Sequence, residues 1–214
     1  MKFIKPSVEF MYPIDPQFVM KHLEACGRVC YKSEDKIEEN SAEAFLAGII
    51  KRGHEAVLEH ISISVKFICD SGVSHEIVRH RMASYCQEST RYCNYSGDKF
   101  GNEITVIEPC YLDESKHFIP YSAWADACDN AENQYFNMLK SGCSPQEARA
   151  VLPNSLKTEL IMTANIREWR HFLRLRCGKG AHPQMREVAL MLLQMFYDIL
   201  PALFGDVYAE VHGE

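Results

Sequence analysis

The residue pattern predicts an α+β fold: a central, mostly antiparallel sheet flanked by helices, not a Rossmann fold. Three observations carry that prediction. Residues 61–69 alternate, with Ile61, Ile63, Val65, Phe67 and Cys69 set against Ser62, Ser64 and Lys66, so one strand face is apolar and the other polar. Helical and strand patterns mix without the βαβ rhythm that builds a parallel sheet. Neither GxGxxG nor GxxxxGKS/T occurs, so a nucleotide would be held without a Rossmann or Walker loop. The chain of 214 residues shows no internal repeat and no low-complexity linker, and it is read as a single domain over residues 1–214.

The elements follow in order. The opening FIKPSVEFMYPI alternates loosely and reads as an edge strand, because Pro6 cannot donate to a ladder. Pro16 to Tyr31 reads as a helix with Val19, Leu23, Cys26 and Cys30 along one stripe. Asn40 and Glu43 have capping-box spacing. Phe45, Leu46, Ile49 and Ile50 then face inward until Gly53 stops that helix. After the alternating strand, Asp70-Ser71-Gly72 reads as a turn and Val73 to Arg81 as a helix. Ile104 to Ile107 is a short strand ended by Pro109. Residues 122–140 form an amphipathic helix with Trp124, Cys128, Ala131, Tyr135 and Met138 inward, stopped by Gly142. Ser144, Pro145 and Glu147 make a capping box with Pro at the first helical position. Thr158 to Asn165 is a strand, and Arg167 to Arg176 a helix whose apolar side is Trp169, Phe172 and Leu173. Pro183 opens a last long helix to about Leu200. Its run from Val188 to Leu193 is apolar nearly all round, which demands burial or a subunit contact.

Hydrophobic residues make up 47% of the chain, enough for a real core. The net charge of -6 argues against a nucleic-acid scaffold or an anionic membrane surface as the main partner. The charge is uneven. Residues 79–91 are net +2 and residues 165–186 net +5, in an otherwise acidic body. Two basic islands of this kind suggest a focused pocket for a small anion. The nine cysteines contain no CxxC pair and read as reduced thiols of a cytoplasmic protein. No leader is evident at the N-terminus, and no apolar run reaches the ~18 residues a membrane span needs.

The stretch RHRMASYCQESTRY, residues 79–92, packs three guanidiniums, an imidazole and several hydroxyls together. Paired Arg forks suit a phosphate or carboxylate. Successive helical residues are splayed by ~100°, so Arg79 and Arg81 cannot grip one phosphate from within a helix. The triplet either ends a helix or serves two pockets. Gly53-His54-Glu55 and Glu59-His60 lack HExxH spacing, and no metal is expected. Arg167, Arg170, His171 and Arg174 lie along one helical stripe, which could be a solvated face. Arg176 closes that helix, where the dipole favours a cation. No cysteine combines with a histidine in the manner of a nucleophile.

With these residues in view, the chain resembles the flavin-dependent thymidylate synthases. The family pattern is RHR, two residues, Ser, four residues, Ser, one residue, Arg-Tyr. Here it reads Arg79-His80-Arg81, Ser84, Ser89 and Arg91-Tyr92. The GHE…EH segment upstream, Arg149 to Pro153, Asn165-x-Arg167, Phe172-Leu173 and Leu175-Arg176 follow in the family's order, over roughly residues 50 to 200. The resemblance implies an FAD-containing homotetramer with active sites shared between subunits. It implies methylation of dUMP to dTMP with 5,10-methylenetetrahydrofolate as carbon donor and NADPH as reductant, without a covalent Cys adduct. Arg176 matches the Arg that activates dUMP by favouring ionisation at N3. Glu76, Arg79, Gln87, Glu88, Ser89, Thr90, Arg91 and Arg149 are carried over with it as the dUMP site. His54, Ala56, Arg79, His80, Arg81, Gln87, Asn165, Arg167 and His171 are carried over as the FAD site. The chain departs from common family choices at Glu76, Ala56, Cys86-Gln87 and His171, and in the loop Cys177 to Ala181 before His182. Two other readings compete: a non-catalytic nucleotide- or RNA-binding protein using the basic islands, and a simple flavin reductase. The first lacks an RRM, KH or OB signature; the second leaves the dUMP-type arginines unexplained.

Overall fold

The computed structural model describes residues 1–213, which gather into two compact units. One comprises Met1–Ser7, Phe67–Arg79 and Tyr85–Ile161; the other comprises Val8–Lys66, His80–Ser84 and the chain from Met162 on. The strands are β1 (Lys2–Ile4), β2 (Ser7–Phe10), β3 (Ser62–Asp70), β4 (Ala83–Gln87), β5 (Thr105–Ile107) and β6 (Lys157–Asn165). The helices are α1 (Pro16–Tyr31), α2 (Ser41–Lys51), α3 (Ser71–Ile77), α4 (Phe118–Lys140), α5 (Pro145–Ala148), α6 (Ile166–Arg176), α7 (Pro183–Ile199) and α8 (Pro201–His212). Four strands join in the order β2-β3-β6-β4 as a mostly antiparallel sheet, in keeping with the α+β expectation. β1 pairs separately with β5, in parallel.

In the first unit, α4 supplies Cys128 and Tyr135 to a core completed by Tyr95, Ile104, Val106, Ala148 and Leu156. The Met1 ammonium sits 3.2 Å from both Glu103 and Glu132. Gly142 at φ +94° ends the α4 segment, a conformation costly for any residue with a Cβ. Ser144 and Glu147 form the expected capping box, with Pro145 at the first helical position.

In the second unit, α6 buries Ile166, Trp169, Phe172 and Leu173. Phe196 of α7 stacks on Phe204 of α8 at 4.3 Å and meets Trp169 at 5.8 Å. Each buried aromatic of this kind contributes roughly 1.5–3 kcal/mol of transfer free energy. Gly53, at φ +71°, follows α2 as expected. No helix among the described residues is long and apolar enough to cross a membrane.

Several local expectations need correction. Asn40 makes no side-chain cap at α2; Ser41 Oγ instead turns to the Glu24 carboxylate at 2.7 Å. Cys30 is exposed, so the α1 stripe ends before it. Asp70 is not a turn residue but the N-cap of α3, accepting from Val73 N at 2.7 Å. The helix then stops at Ile77, not Arg81. The Tyr85 hydroxyl donates to the Ile77 carbonyl at 3.1 Å, the acceptor that Arg81 N–H would need to continue the helix. β4 and α8 have no counterpart in the sequence reading. Pro201 starts α8, and Leu203, Phe204 and Val207 fill its buried side. The basic stripe of α6 is a solvated face only in part: Arg167 and His171 are exposed, but Arg170 is fully buried.

Candidate active site

The early end of α3 decides where the RHR triplet goes. Arg79 and Arg81 are exposed, while His80 between them is buried. Of the two arrangements the sequence left open, the helix-end one is found, and it sends the imidazole inward and both guanidiniums outward.

The residues carried over as the dUMP site fall, with one exception, in the first unit. Arg149 follows α5, with Nη1 3.4 Å from Thr90 Oγ1. Ser89 Oγ accepts from Arg91 N at 3.3 Å, and the Arg91 guanidinium lies 5.4 Å from the Tyr92 ring. These residues place two exposed cations and two hydroxyls in one neighbourhood, a donor set for a phosphate. Arg79 Nε donates back to the preceding helix α3 at the His75 carbonyl, 3.3 Å away. Glu76 is half-buried. Gln87 Nε2 donates to Ser74 Oγ at 3.0 Å and Thr158 Oγ1 at 3.2 Å. Glu88 is tied to Lys157 at 2.9 Å and accepts from the Tyr95 hydroxyl at 3.4 Å. Gln87 and Glu88 thus spend hydrogen-bonding capacity inside the unit that bears them, which suits holding β4 in place.

Arg176 and most of the residues carried over as the FAD site fall in the second unit. Asn165, Arg167, Glu168, His171, Arg174, Glu55, Glu59 and Met82 line a pocket of about 450 Å³. Asn165 caps α6, accepting from Glu168 N at 2.9 Å. Arg167 pairs with Glu59 at 2.6 Å. His54 Nδ1 lies 2.8 Å from the Tyr31 hydroxyl, and Ala56 is exposed nearby in the Glu55–His60 turn. Arg170 anchors the pocket wall from behind. Its guanidinium bonds Asp206 at 2.7 Å through both Nη atoms, Glu55 at 3.0 Å and the Leu203 carbonyl.

The densest chemistry lies around His80. Its Nδ1 is 3.0 Å from Glu168 Oε1, and its Nε2 accepts from Arg176 Nε at 3.0 Å. The His171 ring centre is 5.6 Å away and Phe172 4.8 Å. Burial pushes the His80 pKa below its ordinary 6.5; Arg176 and His171 push it the same way, while Glu168 opposes them. These effects together favour the neutral ring, the form that the Arg176 Nε–H bond to Nε2 also requires. His80, Glu168 and His171 bring possible metal-ligand atoms within 4.8 Å of one another. The Arg176 cation on the same imidazole is a poor neighbour for a metal, and its hydrogen bond requires the lone pair on Nε2.

Sequence reasoning missed Glu168 as a site residue. Its position three residues after the Asn165 cap was visible, but that signal speaks only of helix capping. The Cys177 thiol, next to Arg176 in the chain, offers little competition to an arginine-centred site. Burial pushes Cys177 up to about 12, so it stays protonated near neutral pH.

A family model described as "Thymidylate synthase complementing protein" matches residues 19–202. A protein of Geobacter sulfurreducens named "Flavin-dependent thymidylate synthase" is 34% identical over 187 residues, covering 84% of this chain and 78% of the relative. One of the same name from Pyrococcus furiosus is 34% identical over 169 residues, covering 78% of this chain and 68% of the relative. Among solved structures, "UMP/dUMP methylase PolB from Streptomyces cacaoi bound with 5-Br dUMP" matches with a TM-score of 0.79 at 23% identity, covering 98% of this chain and 97% of that one. At that identity the structural match speaks for the fold.

Proposed function

Since the chain belongs to the flavin-dependent thymidylate synthase family, we propose that it converts dUMP to dTMP, taking carbon from 5,10-methylenetetrahydrofolate and hydride from FAD reduced by NADPH. One observation supports this most strongly: Arg176, the position matched to the family's pyrimidine-activating arginine, is held on a buried imidazole at 3.0 Å. A guanidinium so placed favours the ring deprotonated at N3 through charge-assisted hydrogen bonds. Arg91 and Arg149, both exposed, take the phosphate, with Ser89 and Thr90 beside them. Glu76, Arg79, Gln87 and Glu88 complete the dUMP site in this reading, Gln87 and Glu88 from positions braced by Thr158 and Lys157.

Asn165, Arg167, His171 and Arg174 give this pocket donors that suit a flavin dinucleotide, and its three carboxylates are already paired, Glu55 with Arg170, Glu59 with Arg167 and Glu168 with His80. Arginine and amide N–H groups match a diphosphate, and Arg167 would exchange Glu59 for it. His54 and Ala56 in the neighbouring turn, with Arg79, His80, Arg81 and Gln87, complete the FAD site. When bound, the flavin supplies the hydride and takes part in the carbon transfer. The protein's own part is to bind, orient and keep His80 neutral beside Arg176. Tyr92 and Met82 are 79% and 73% exposed in the single chain. Large apolar groups left open within the motif itself fit a homotetramer whose subunits share sites. All nine cysteines are free thiols, which agrees with a cytoplasmic home.

The test is an anaerobic reaction of the purified, flavin-loaded protein with dUMP, the folate and NADPH. We expect dTMP and, from C5-tritiated dUMP, tritium release. NADPH oxidation without either would leave a flavin reductase. A colourless protein that cannot be loaded with flavin would leave a nucleotide- or RNA-binding protein.

A further inference from the structure

Glu168 and Arg176 lie on the same helix, eight residues or roughly 12 Å of rise apart. His80 comes from the turn after α3 and bridges them, Nδ1 to Glu168 and Nε2 to Arg176, each at 3.0 Å. Its side chain is 3% exposed and that of Glu168 12%. Arginine is always protonated, so its Nε can only donate. His80 Nε2 must then carry the lone pair, and the ring proton must sit on Nδ1, where Glu168 accepts it. Both ends of the imidazole are committed, so tautomer and ring orientation are fixed together. The guanidinium is planar and conjugated through Nε. Holding Nε therefore also aims the two Nη groups.

We propose that Glu168 and His80 form a positioning relay for Arg176: Glu168 sets the His80 tautomer, and His80 Nε2 sets the plane of the guanidinium that addresses the pyrimidine. The inference rests on the functional reading above and deepens it by assigning a role to Glu168. The relay works only with a neutral ring. A proton on Nε2 would remove the acceptor and set an imidazolium against Arg176. Turnover should therefore fall as the pH drops through the His80 pKa. Glu168, His171 and Arg176, all on α6, are charged or titratable groups that face that ring.

Four variants separate positioning from mere packing. Glu168→Leu leaves the Nδ1–H without its acceptor. Glu168→Gln restores an oxygen there. His80→Gln offers an amide oxygen near the place of Nε2 but cannot titrate, and His80→Ala offers nothing. Each is assayed for dTMP formation per bound flavin from pH 5 to 9, with KM for dUMP. Removing a carboxylate that orients a histidine at a metal site costs about 10–100-fold, and the same orienting contact is removed here. We expect that loss in kcat per bound flavin for Glu168→Leu, and substantial recovery in Glu168→Gln. We expect His80→Gln to outperform His80→Ala and to lose the acid limb of the pH profile. Imidazole ¹⁵N shifts of the wild-type protein give a readout independent of turnover. They should show His80 as the Nδ1–H tautomer. The proposal is overturned if Glu168→Leu matches the wild type in kcat and pH profile, if the acid limb survives in His80→Gln, or if His80 carries its proton on Nε2. A wild-type protein that makes no dTMP would overturn the functional reading instead, and the tautomer would still decide the relay.

Discussion

Asp206→Ala should destabilise the protein by about 2–3 kcal/mol, because it strips a buried guanidinium of its best partner. The Arg170 side chain is 0% exposed, and Asp206 meets both of its Nη atoms at 2.7 Å. Breaking a fully buried pair by removing one partner costs about 3–5 kcal/mol. Two features lower that figure. The Asp206 side chain is 43% exposed, so water can follow the deletion, and Glu55 still faces Arg170 at 3.0 Å. At about 2–4 °C per kcal/mol for a chain of this size, Tm should fall by roughly 4–12 °C. The assay is thermal unfolding followed by circular dichroism, at matched protein concentration and flavin content. Asp206→Asn keeps one acceptor oxygen and should lose about half as much. Arg170 and Arg174 hold the Asp206 carboxyl below its ordinary 3.8 against the opposing effect of burial. The folded pKa is depressed, so this stabilisation is present above about pH 3.8 and disappears as pH falls through the folded value. The gap between wild type and Asp206→Ala should close in that acid range. A Tm within about 1 °C of wild type at pH 7 would refute the clamp and make Arg170–Asp206 equivalent to a surface pair.

Arg176→Ala should abolish dUMP turnover while FAD remains bound at wild-type content by absorbance; parallel loss of flavin would place Arg176 in cofactor binding instead. Cys86→Ser and Cys110→Ser should each retain turnover within about twofold, since both thiols are exposed and the chemistry proposed uses no covalent adduct. Abolished turnover in either, with an unchanged far-UV spectrum, would bring a thiol nucleophile back. Exhaustive chelation should leave turnover unchanged, because Arg176 occupies the imidazole that a metal would need. Activity lost to chelator and restored by Zn²⁺ would show that His80, Glu168 and His171 hold an ion after all.

Where local signals suffice, the sequence predicted well. Pro16 and Tyr31 bound α1 as read. The alternation over residues 61–69 became β3, whose Ile63, Val65, Phe67 and Cys69 are buried. Those signals depend on side-chain period and backbone preference within a few residues. The missed features depend on distant partners. α3 ends at Ile77 because Tyr85 returns to take its carbonyl. Asn40 loses its capping role where Glu24, from another helix, captures Ser41. β4 carries only a weak pattern in ASYCQ and exists through its place at the end of the sheet. The residue types of the candidate site were legible, but their partners were not.

Sequence alone determined the fold class, the ordered motifs and the kinds of group gathered for an anionic substrate, because these reside in local period and composition. Tertiary structure decided that Arg170 is a buried clamp, not a solvated charge, and that Glu168 reaches Arg176 through His80, a residue 88 positions before Glu168 and 96 before Arg176. No short-range rule links positions so far apart. Only the packed chain brings a donor within 3 Å of its acceptor and excludes the water that would otherwise screen them.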